Sequence, residues 1–481
     1  MNYSHIKYAV LVGILGVVAG LGGCKKFVQL PPSPTQVQAA VIYSDSADAT
    51  AAIIGIYANM TGVSRTAQYF ENGGITLFTG MSGDELNYTG TSSEYLPFFQ
   101  DALTSQTGLN AEYLYENVYS GQGLIYPANA VIEGVSSSTL TATLKNQLIG
   151  EAEVLRAFAY FNLVNLYGPV PLVTTTNYQV NATLPRTSVD SVYKQVVADL
   201  LDAQTRLPVA YPSTGRVRVN ELTATALLAR VYLYQGDWKD AYTQSNSLIN
   251  SGTYALEPSL NNVFLDGSNE AIWQLPPVTT SLGVPEADAF IPSKATIIPQ
   301  YTIDSFLLNS FEPNDNRKTS WLDSNIVSGT VYYYPYKYKV TGVPSGSTPP
   351  EDYMVFRLAE QYLIRAEAQA EGQGSEGGNG IAGAIADLNV IRTRAGIPSY
   401  AGATDQTSML AAILHERRIE LFCEWGHRWY DLKRTNMINT VMGTDGECAA
   451  KGGNWNPDWV LYPIPLDELH ANPFLTQNPG Y

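Results

Sequence analysis

Residues 151–171 read EAEVLRAFAYFNLVNLYGPVP, and their periodicity decides the fold class. Ala152, Leu155, Ala159, Leu163 and Leu166 recur at steps of three and four, which places them on one face of a helix. Val154, Phe158 and Phe161 form a second apolar seam beside the first. A surface helix needs one seam. A helix apolar on two sides is covered on both, as the inner layer of stacked hairpins is, although periodicity alone fits a long core helix of any α domain equally well. Gly168 can take the positive φ of a helix C-cap, and Pro169 and Pro171 forbid continuation.

Helical patterns continue on both sides. Residues 46–61, SADATAAIIGIYANMT, carry a seam of Ile53, Ile56, Tyr57 and Met60 behind a capping Ser46 or Asp48. Residues 110–135 read as helix through Tyr113, Tyr115, Val118, Tyr119 and Ile125, with Gly121 and Gly123 as weak points. The opening helix covers 144–167, and 188–207 is its partner. NELTATALLARVYLYQ (220–235) turns at Gly236-Asp237 into WKDAYTQSNSLINS (238–251), a tetratricopeptide-like hairpin. FRLAEQYLIRAEAQAE (356–371) and GIAGAIADLNVIRTRA (380–395) form another, joined by a flexible glycine-rich turn without the lysine of a phosphate loop. The expected fold is mostly α: an α-superhelix of four tetratricopeptide-like hairpins with long irregular loop-rich insertions. The scaffold spans about 46–252 and 353–434, and the loop-rich segments are 62–108, 254–352 and 435–481. Compact domains rarely keep such loops without a use, so the helices read as frame and the loops as working surface.

Composition narrows the function. The 481 residues are 45% hydrophobic, enough for a large core, and the net charge of −16 repels phosphate backbones, so no nucleic acid is expected. The 32 tyrosines suit contact surfaces, because each hydroxyl needs a partner. The four histidines, His5, His415, His427 and His470, leave few options for a metal cluster or a Ser-His-Asp site. HERRIE (415–420) has Ile419 where a zincin needs its second histidine, so it reads as a helix-surface ion-pair set that fixes the last helices together with Arg428 and Asp431. There is no Walker loop, nucleophile elbow or dinucleotide fingerprint, and no catalytic residue, metal or cofactor is assigned. A helical glycoside hydrolase using two carboxylates stays open as an alternative, with no carboxylate pair marked.

The N-terminus reads as a signal peptide over residues 1–23. Its apolar core, residues 9–21, counts 13 residues and is too short to span a membrane. It runs into Leu21-Gly22-Gly23-Cys24, two small residues before a thiol, which resembles the lipobox of bacterial lipoproteins. Cys24 is then the lipid-bearing first residue of the mature chain, 24–40 a proline-containing lipidated tether, and 41–481 a single domain. Cys423 sits on a helical pattern and reads as a small buried hydrophobe; whether it pairs with Cys448 is open.

Five blocks resemble one family: LIGEAEVLRAFAYFNLVNLYGPVPLV (148–173), FRLAEQYLIRAEAQAE (356–371), ADLNVIRTRAGIP (386–398), ILHERRIELFCEWGHRWYDLKRT (413–435) and LYPIPLDELHANPFLTQNPGY (461–481). In this order they are similar to the SusD/RagB family of Bacteroidetes surface lipoproteins, over essentially the whole chain. Cys423 stands where a small residue is usual, and 443–458 looks like a modest insertion. The resemblance implies a non-catalytic protein anchored in the outer membrane and exposed at the cell surface. It would capture an oligosaccharide and act as the lid of a SusC-like TonB-dependent barrel; RagB-like members point instead to a peptide ligand.

Sugar capture needs aromatic rings for the apolar C–H face of a pyranose and carboxylates or amides for its hydroxyl rim. Residues 84–99 have that composition, and in the family the loop after the first helix contributes to the ligand site; Asp84, Asn87, Tyr88 and Tyr95 are the candidates there. Residues 282–323 form a second candidate region through Glu286, Tyr301 and Trp321. Trp273, in EAIWQL, reads as a buried strand residue, and the run from Tyr332 to Tyr336 as mixed core and partner interface.

Overall fold

The computed structural model describes residues 39–481 except 63–68, 279–281, 345, 373, 376, 444 and 445. Cys24, the signal peptide and most of the tether therefore lie outside the described residues.

Helix α1 (Ser46–Met60) starts where Asp45 accepts the amides of Ala47 and Asp48, and its buried face holds Ile53, Ile56, Tyr57 and Met60. Helix α2 (Ile75–Ser82) stands where a loop was expected. All eight of its residues are buried, so it has no polar face to mark a helical period. The expected helix over 110–135 breaks. Helical turns at Asn110–Glu116 and Asn117–Tyr119 precede a bend, and α3 runs Ile125–Ser137. Gly123 makes the bend possible, since a Cβ there would collide with the carbonyl of Asn117.

Helix α4 (Ala142–Tyr167) is the inner element that its two seams require. Thr141 caps its start, Gly168 leaves it at φ 68°, and from Leu148 to Tyr167 only Asn165 escapes full burial. Phe161 packs edge-on against Tyr234, ring centroids 5.0 Å apart, within the helical layer. Phe158 points into the other half of the molecule, against Trp273, Phe356 and Trp425 at 5.6, 5.9 and 5.1 Å. The last turn of α4 leaves carbonyls without helical partners. The C-terminal segment supplies them: Tyr462 donates its amide to Leu166 at 2.8 Å, and the Asn478 side chain donates to the carbonyl of Tyr167 at 2.9 Å.

The remaining helices are α5 (Val189–Arg206), α6 (Glu221–Gln235), α7 (Trp238–Asn250), α8 (Leu358–Gly372), α9 (Gly380–Ala395), α10 (Gln406–Glu420) and α11 (His427–Arg434). From α3 to α9 each helix packs on its sequence neighbour, and α1 packs on α3, which gives the superhelical frame. The α6–α7 turn is built as its sequence demands. An Asn220–Thr223 capping box opens α6, Gly236 closes it at φ 73°, and Asp237 caps α7.

Strands serve the loop-rich half in two-stranded antiparallel pairs: β1 (Leu86–Tyr88) with β3 (Tyr301–Ile303), β2 (Ala271–Leu275) with β6 (Tyr353–Arg357), and β4 (Leu322–Val327) with β5 (Thr330–Pro335). Phe356 and Arg357 thus belong to a strand rather than to the start of α8, because β2 pairs there, Trp273 opposite Phe356. Trp273 is buried in β2, as its sequence context predicts. Tyr334 is buried and Tyr332 and Tyr333 are half-buried on β5.

The HERRIE set is corrected. Glu416, Arg417 and Glu420 are buried, not on a helix surface. Arg357 bonds Glu424 and Glu270 at 2.8 and 3.0 Å and also reaches Glu420. Arg317 joins Asp315, Glu416 and Glu420 at 2.7, 2.6 and 3.0 Å, Arg394 joins Glu270 and Glu420, and Lys337 joins Glu424. Burial alone would raise the Glu420 pKa, but Arg394, Arg357 and Arg317 outweigh it and hold that carboxyl well below the usual range. This network ties residues 254–352 to α9 and α10. Cys423 lies in the α10–α11 turn at φ 49°, not on a helix; it and Cys448 are both free and buried.

Candidate ligand site

The two candidate regions meet. β1 and β3 pair so that Tyr88 lies opposite Tyr301 and Asn87 opposite Thr302. The Tyr88 ring is 5.7 Å from that of Tyr301 and 5.5 Å from that of Tyr95, and Tyr95 is 6.2 Å from Tyr301. Phe78 of α2 underlies the cluster, stacked 5.9 Å from Tyr95. The connection from β1 is tight: Thr89 donates its amide to Gln300, Ser92 donates its amide to the Tyr88 hydroxyl at 3.2 Å, and a side chain at Gly90 would strike the Tyr88 ring.

The cluster has a buried layer and an open one. Tyr88 and Tyr301 are only 7% and 3% exposed, and burial, with the neighbouring tyrosines, pushes the Tyr301 hydroxyl well above its ordinary pKa. Tyr95 and Asn87 are half-buried, and Glu94, next to Tyr95, is exposed. Tyr69 and Tyr113, also half-buried, stand edge to face at 4.9 Å, and Tyr113 is close enough to Tyr95 to act on its hydroxyl. Tyr95 thus lies half-covered against the buried pair Tyr88 and Tyr301, with the half-covered Tyr113 and Tyr69 and the Glu94 carboxylate on its side; Asn87, one residue from Tyr88 on β1, faces the other side of the strand pair. Sequence reasoning missed Tyr69 and Tyr113. Tyr113 sits in a helix-like run and read as scaffold, and no local pattern joins Tyr69 to it.

The other candidates lie elsewhere. Trp321 is fully closed: its indole N–H donates to Leu260 at 3.0 Å, its ring packs on Phe264 and Phe422, and the Lys337 ammonium sits 4.7 Å from its centroid. Its expected ligand contact is corrected, since no face of the ring is open. Glu286 is buried on the short helix Pro285–Phe290 and accepts from the Tyr353 hydroxyl at 3.2 Å; burial raises its pKa to about 8. Asp84 is buried as well. Arg428 grips both its oxygens at 2.7 Å and Arg418 adds a contact at 2.8 Å. Burial opposes its charge, yet Arg428, Arg418 and Lys451 prevail and bring its pKa down to about 2. Its neighbour Glu85 accepts the amide of Cys423 at 3.1 Å, and the carbonyl of Glu85 accepts the amide of Asp304, the residue after β3. Asp84 and Glu85 thus anchor both strands of the tyrosine cluster to the α10–α11 turn, which makes Asp84 a positioning residue rather than a contact. Among the described residues no His, Cys, Asp or Glu group is arranged to hold a metal. No helix among them is long and apolar enough to cross a membrane.

Comparison with known proteins agrees with this architecture. Residues 309–481 match the model of the SusD family, and residues 58–233 match a model described as starch-binding associating with outer membrane. The SusD-like protein P25 of Formosa agariphila is 24% identical over an alignment covering 95% of this chain and 96% of its own. A SusD superfamily structure from Bacteroides vulgatus superposes with a TM-score of 0.75 at 19% identity, covering 92% of this chain and all of the other. A laminarin-binding SusD-like protein superposes with a TM-score of 0.69 at 24% identity, covering 90% and 99%.

Proposed function

The chain belongs to the SusD/RagB family, and on that premise we propose that it is a non-catalytic receptor that captures oligosaccharide at the cell surface and passes it to a SusC-like TonB-dependent outer-membrane barrel. Membership in this starch- and glycan-binding family supports a carbohydrate-binding role in nutrient uptake. One observation in this chain carries the reading: the half-covered rings of Tyr69, Tyr113 and Tyr95, with Glu94 beside Tyr95, where two loop-rich segments meet on the helical frame. Partly open aromatic rings fit the C–H faces of sugars, and a neighbouring carboxylate such as Glu94 fits their hydroxyls. A lipid on Cys24 would hold the frame at the outer membrane, and closure over the barrel would act as a lid.

The test is a glycan array probed in parallel with a peptide library, followed by titration of the best binders. Saturable binding of an oligosaccharide, left chemically intact after incubation, is the expected result. Binding confined to peptides would turn the reading to a RagB-like receptor. Turnover of glycan, abolished by a single carboxylate substitution, would overturn the non-catalytic role.

A further inference from the structure

A cleft of about 410 Å³ opens before the first turn of α1, bordered by Tyr43 and Ser44, by one face of α3 and by Thr176. That volume is in the range of small-molecule sites. Its floor follows from spacing on α3. Tyr126, Ala130 and Gly134 recur at steps of four and share a face, and the two small residues leave room that longer side chains would fill. The Tyr43 ring lies against Gly134, where a Cβ would strike it. Tyr126 stands at one end with its ring 44% exposed, and Ser137, Ser138 and Thr139 line the other.

The hydroxyls of this cleft have spent their protons inside the chain. Ser44 donates to the carbonyl of Val41, Ser137 to those of Glu133 and Gly134, Ser138 to that of Val135, and Thr176 to the Glu133 carboxylate. What they still offer a ligand is acceptor capacity. Glu133, exposed at the rim, adds a carboxylate. Burial opposes its charge, but the hydroxyls of Thr176 and Thr175 and the amide of Thr176 hold its pKa below the ordinary value. Among the described residues that line the cleft there is no Lys, Arg or His. Lys145 donates to the carbonyl of Ser136, and Arg156, whose charge also acts on Glu133, is paired with Asp199. An acceptor-rich cleft without a cation turns away carboxylates and phosphates and suits a ligand rich in hydroxyl donors. The exposed ring and the small floor require an apolar face as well. The cleft is separate from the tyrosine cluster. Helix α1 has 15 residues and is about 22 Å long. Tyr43 and Ser44 precede it, whereas Asn72, which accepts the amide of Tyr69, bonds the carbonyl of Gly62 beyond its other end.

We propose that this cleft is a second sugar site, at the far end of α1 from the tyrosine cluster, for an uncharged hexose unit. The C–H face of the hexose would lie on Tyr126 above Ala130, and its hydroxyls would donate to Glu133 and to the oxygens of Ser137 and Thr139. The assignment does not depend on the tyrosine cluster binding sugar.

The test uses the mature chain with Cys24→Ala, which lacks the acylation site, and with Tyr95→Ala and Tyr113→Ala, which remove two half-covered rings of the other region. Frontal affinity chromatography of glucose, glucuronate and butylamine over this protein reads weak binding directly. Glucose should be retained saturably, one per chain, and glucuronate and butylamine should each bind about 10-fold more weakly or worse. In the same background Tyr126→Ala and, separately, Glu133→Ala should each lower glucose affinity about 10-fold with an unchanged melting temperature, since both side chains are exposed. No saturable retention of glucose, equal retention of glucuronate or of butylamine, or full glucose affinity in a folded Tyr126→Ala or Glu133→Ala protein would each overturn the site. Oligosaccharide binding by the chain with Tyr95 and Tyr113 intact is read separately, so a failure of the cleft leaves the tyrosine cluster standing.

Discussion

Two regions of this molecule are equally closed to water and are held by opposite means. Along α4 the buried side chains are Leu155, Phe158, Phe161 and Leu163, with charges confined to a few paired groups such as Arg156, which bonds Asp199 at 2.9 and 2.7 Å. Around the α10–α11 turn the buried side chains include Glu416, Arg417, Glu420 and Glu424; Arg417 pairs with Asp431 of α11, and the partners of the three glutamates come from β6, α9 and the loop-rich half. Hydrocarbon burial is non-directional and tolerates small shifts. A buried ion-pair network stabilises one geometry and penalises every other, because an unmatched charge has no water to turn to. The frame is therefore assembled by the first kind of force, and the loop-rich segments are fixed upon it by the second.

The comparison breaks most visibly at Arg357. Arg357→Ala leaves Glu420 and Glu424 short of a counter-charge in a dry interior, at a cost of about 3–5 kcal/mol. Urea unfolding measures it, and a loss under about 1 kcal/mol would mean that the network is dispensable. Leu155→Ala is the matching test in the frame. Leu155 has no exposed surface, so the lost packing and the cavity should cost about 2–5 kcal/mol. A loss under about 1 kcal/mol would make α4 a surface helix and undo the two-seam reading.

The same contrast explains which parts were legible in the sequence. The two seams of α4 and the capping signals of α6 and α7 are local, so periodicity and turn chemistry reached them. Helix α2 escaped because ITLFTGMS is apolar on every side and carries no period. The start of α8 was set two residues early because Phe356 and Arg357 are claimed by β2, some 80 residues away along the chain. HERRIE was recognisable as ion-pairing, but not as buried, since Glu270, Asp315 and Arg357 approach from distant segments. In the site, chemistry-bearing residue types could be picked out, yet the register that sets Tyr88 against Tyr301 could not. Nor could the fates of Asp84, Glu286 and Trp321, whose polar or amphipathic character is spent inside the fold.

Buried charge also makes stability depend on pH. Glu286 has a folded pKa of about 8 against an ordinary value of 4.5, raised by burial, and Glu85 is raised to about 7 by burial and by Asp84. Between pH 4.5 and the folded pKa, about 8 for Glu286 and about 7 for Glu85, the unfolded chain ionises each carboxyl while the folded chain keeps it protonated, so the contribution to stability is full at acid pH and is lost as pH rises through that window. Glu286→Gln should match the parent near pH 4.5 and exceed it by roughly 2–4 kcal/mol at pH 8.5. Asp84 acts in the other direction: its ion pairs stabilise above pH 4, and that contribution disappears as pH falls towards 2. Parallel stability profiles for the parent and Glu286→Gln would show that this carboxyl is solvated in the folded chain.

The smallest change in stability should accompany a large change in binding, and that contrast locates the ligand. Tyr88 and Tyr95 touch each other, but Tyr88 is 7% exposed and serves as floor, whereas Tyr95 is half-buried and opens to solvent. Tyr88→Ala should cost about 3 kcal/mol or more, as removal of a buried aromatic does, and any loss of affinity would follow from the collapsed floor. Tyr95→Ala with Tyr113→Ala should cost about 1–2 kcal/mol of stability, since both rings are only partly covered, yet weaken oligosaccharide binding by at least about 10-fold. Calorimetry and thermal melting on the same samples separate the two effects. If the double variant binds as the parent does, the half-covered rings are not where sugar stacks, and the tyrosines serve only to pack β1 against β3. If affinity falls while the melting temperature barely moves, the buried pair and the half-covered rings divide their work as their exposure indicates, and Tyr69 is the next ring to remove.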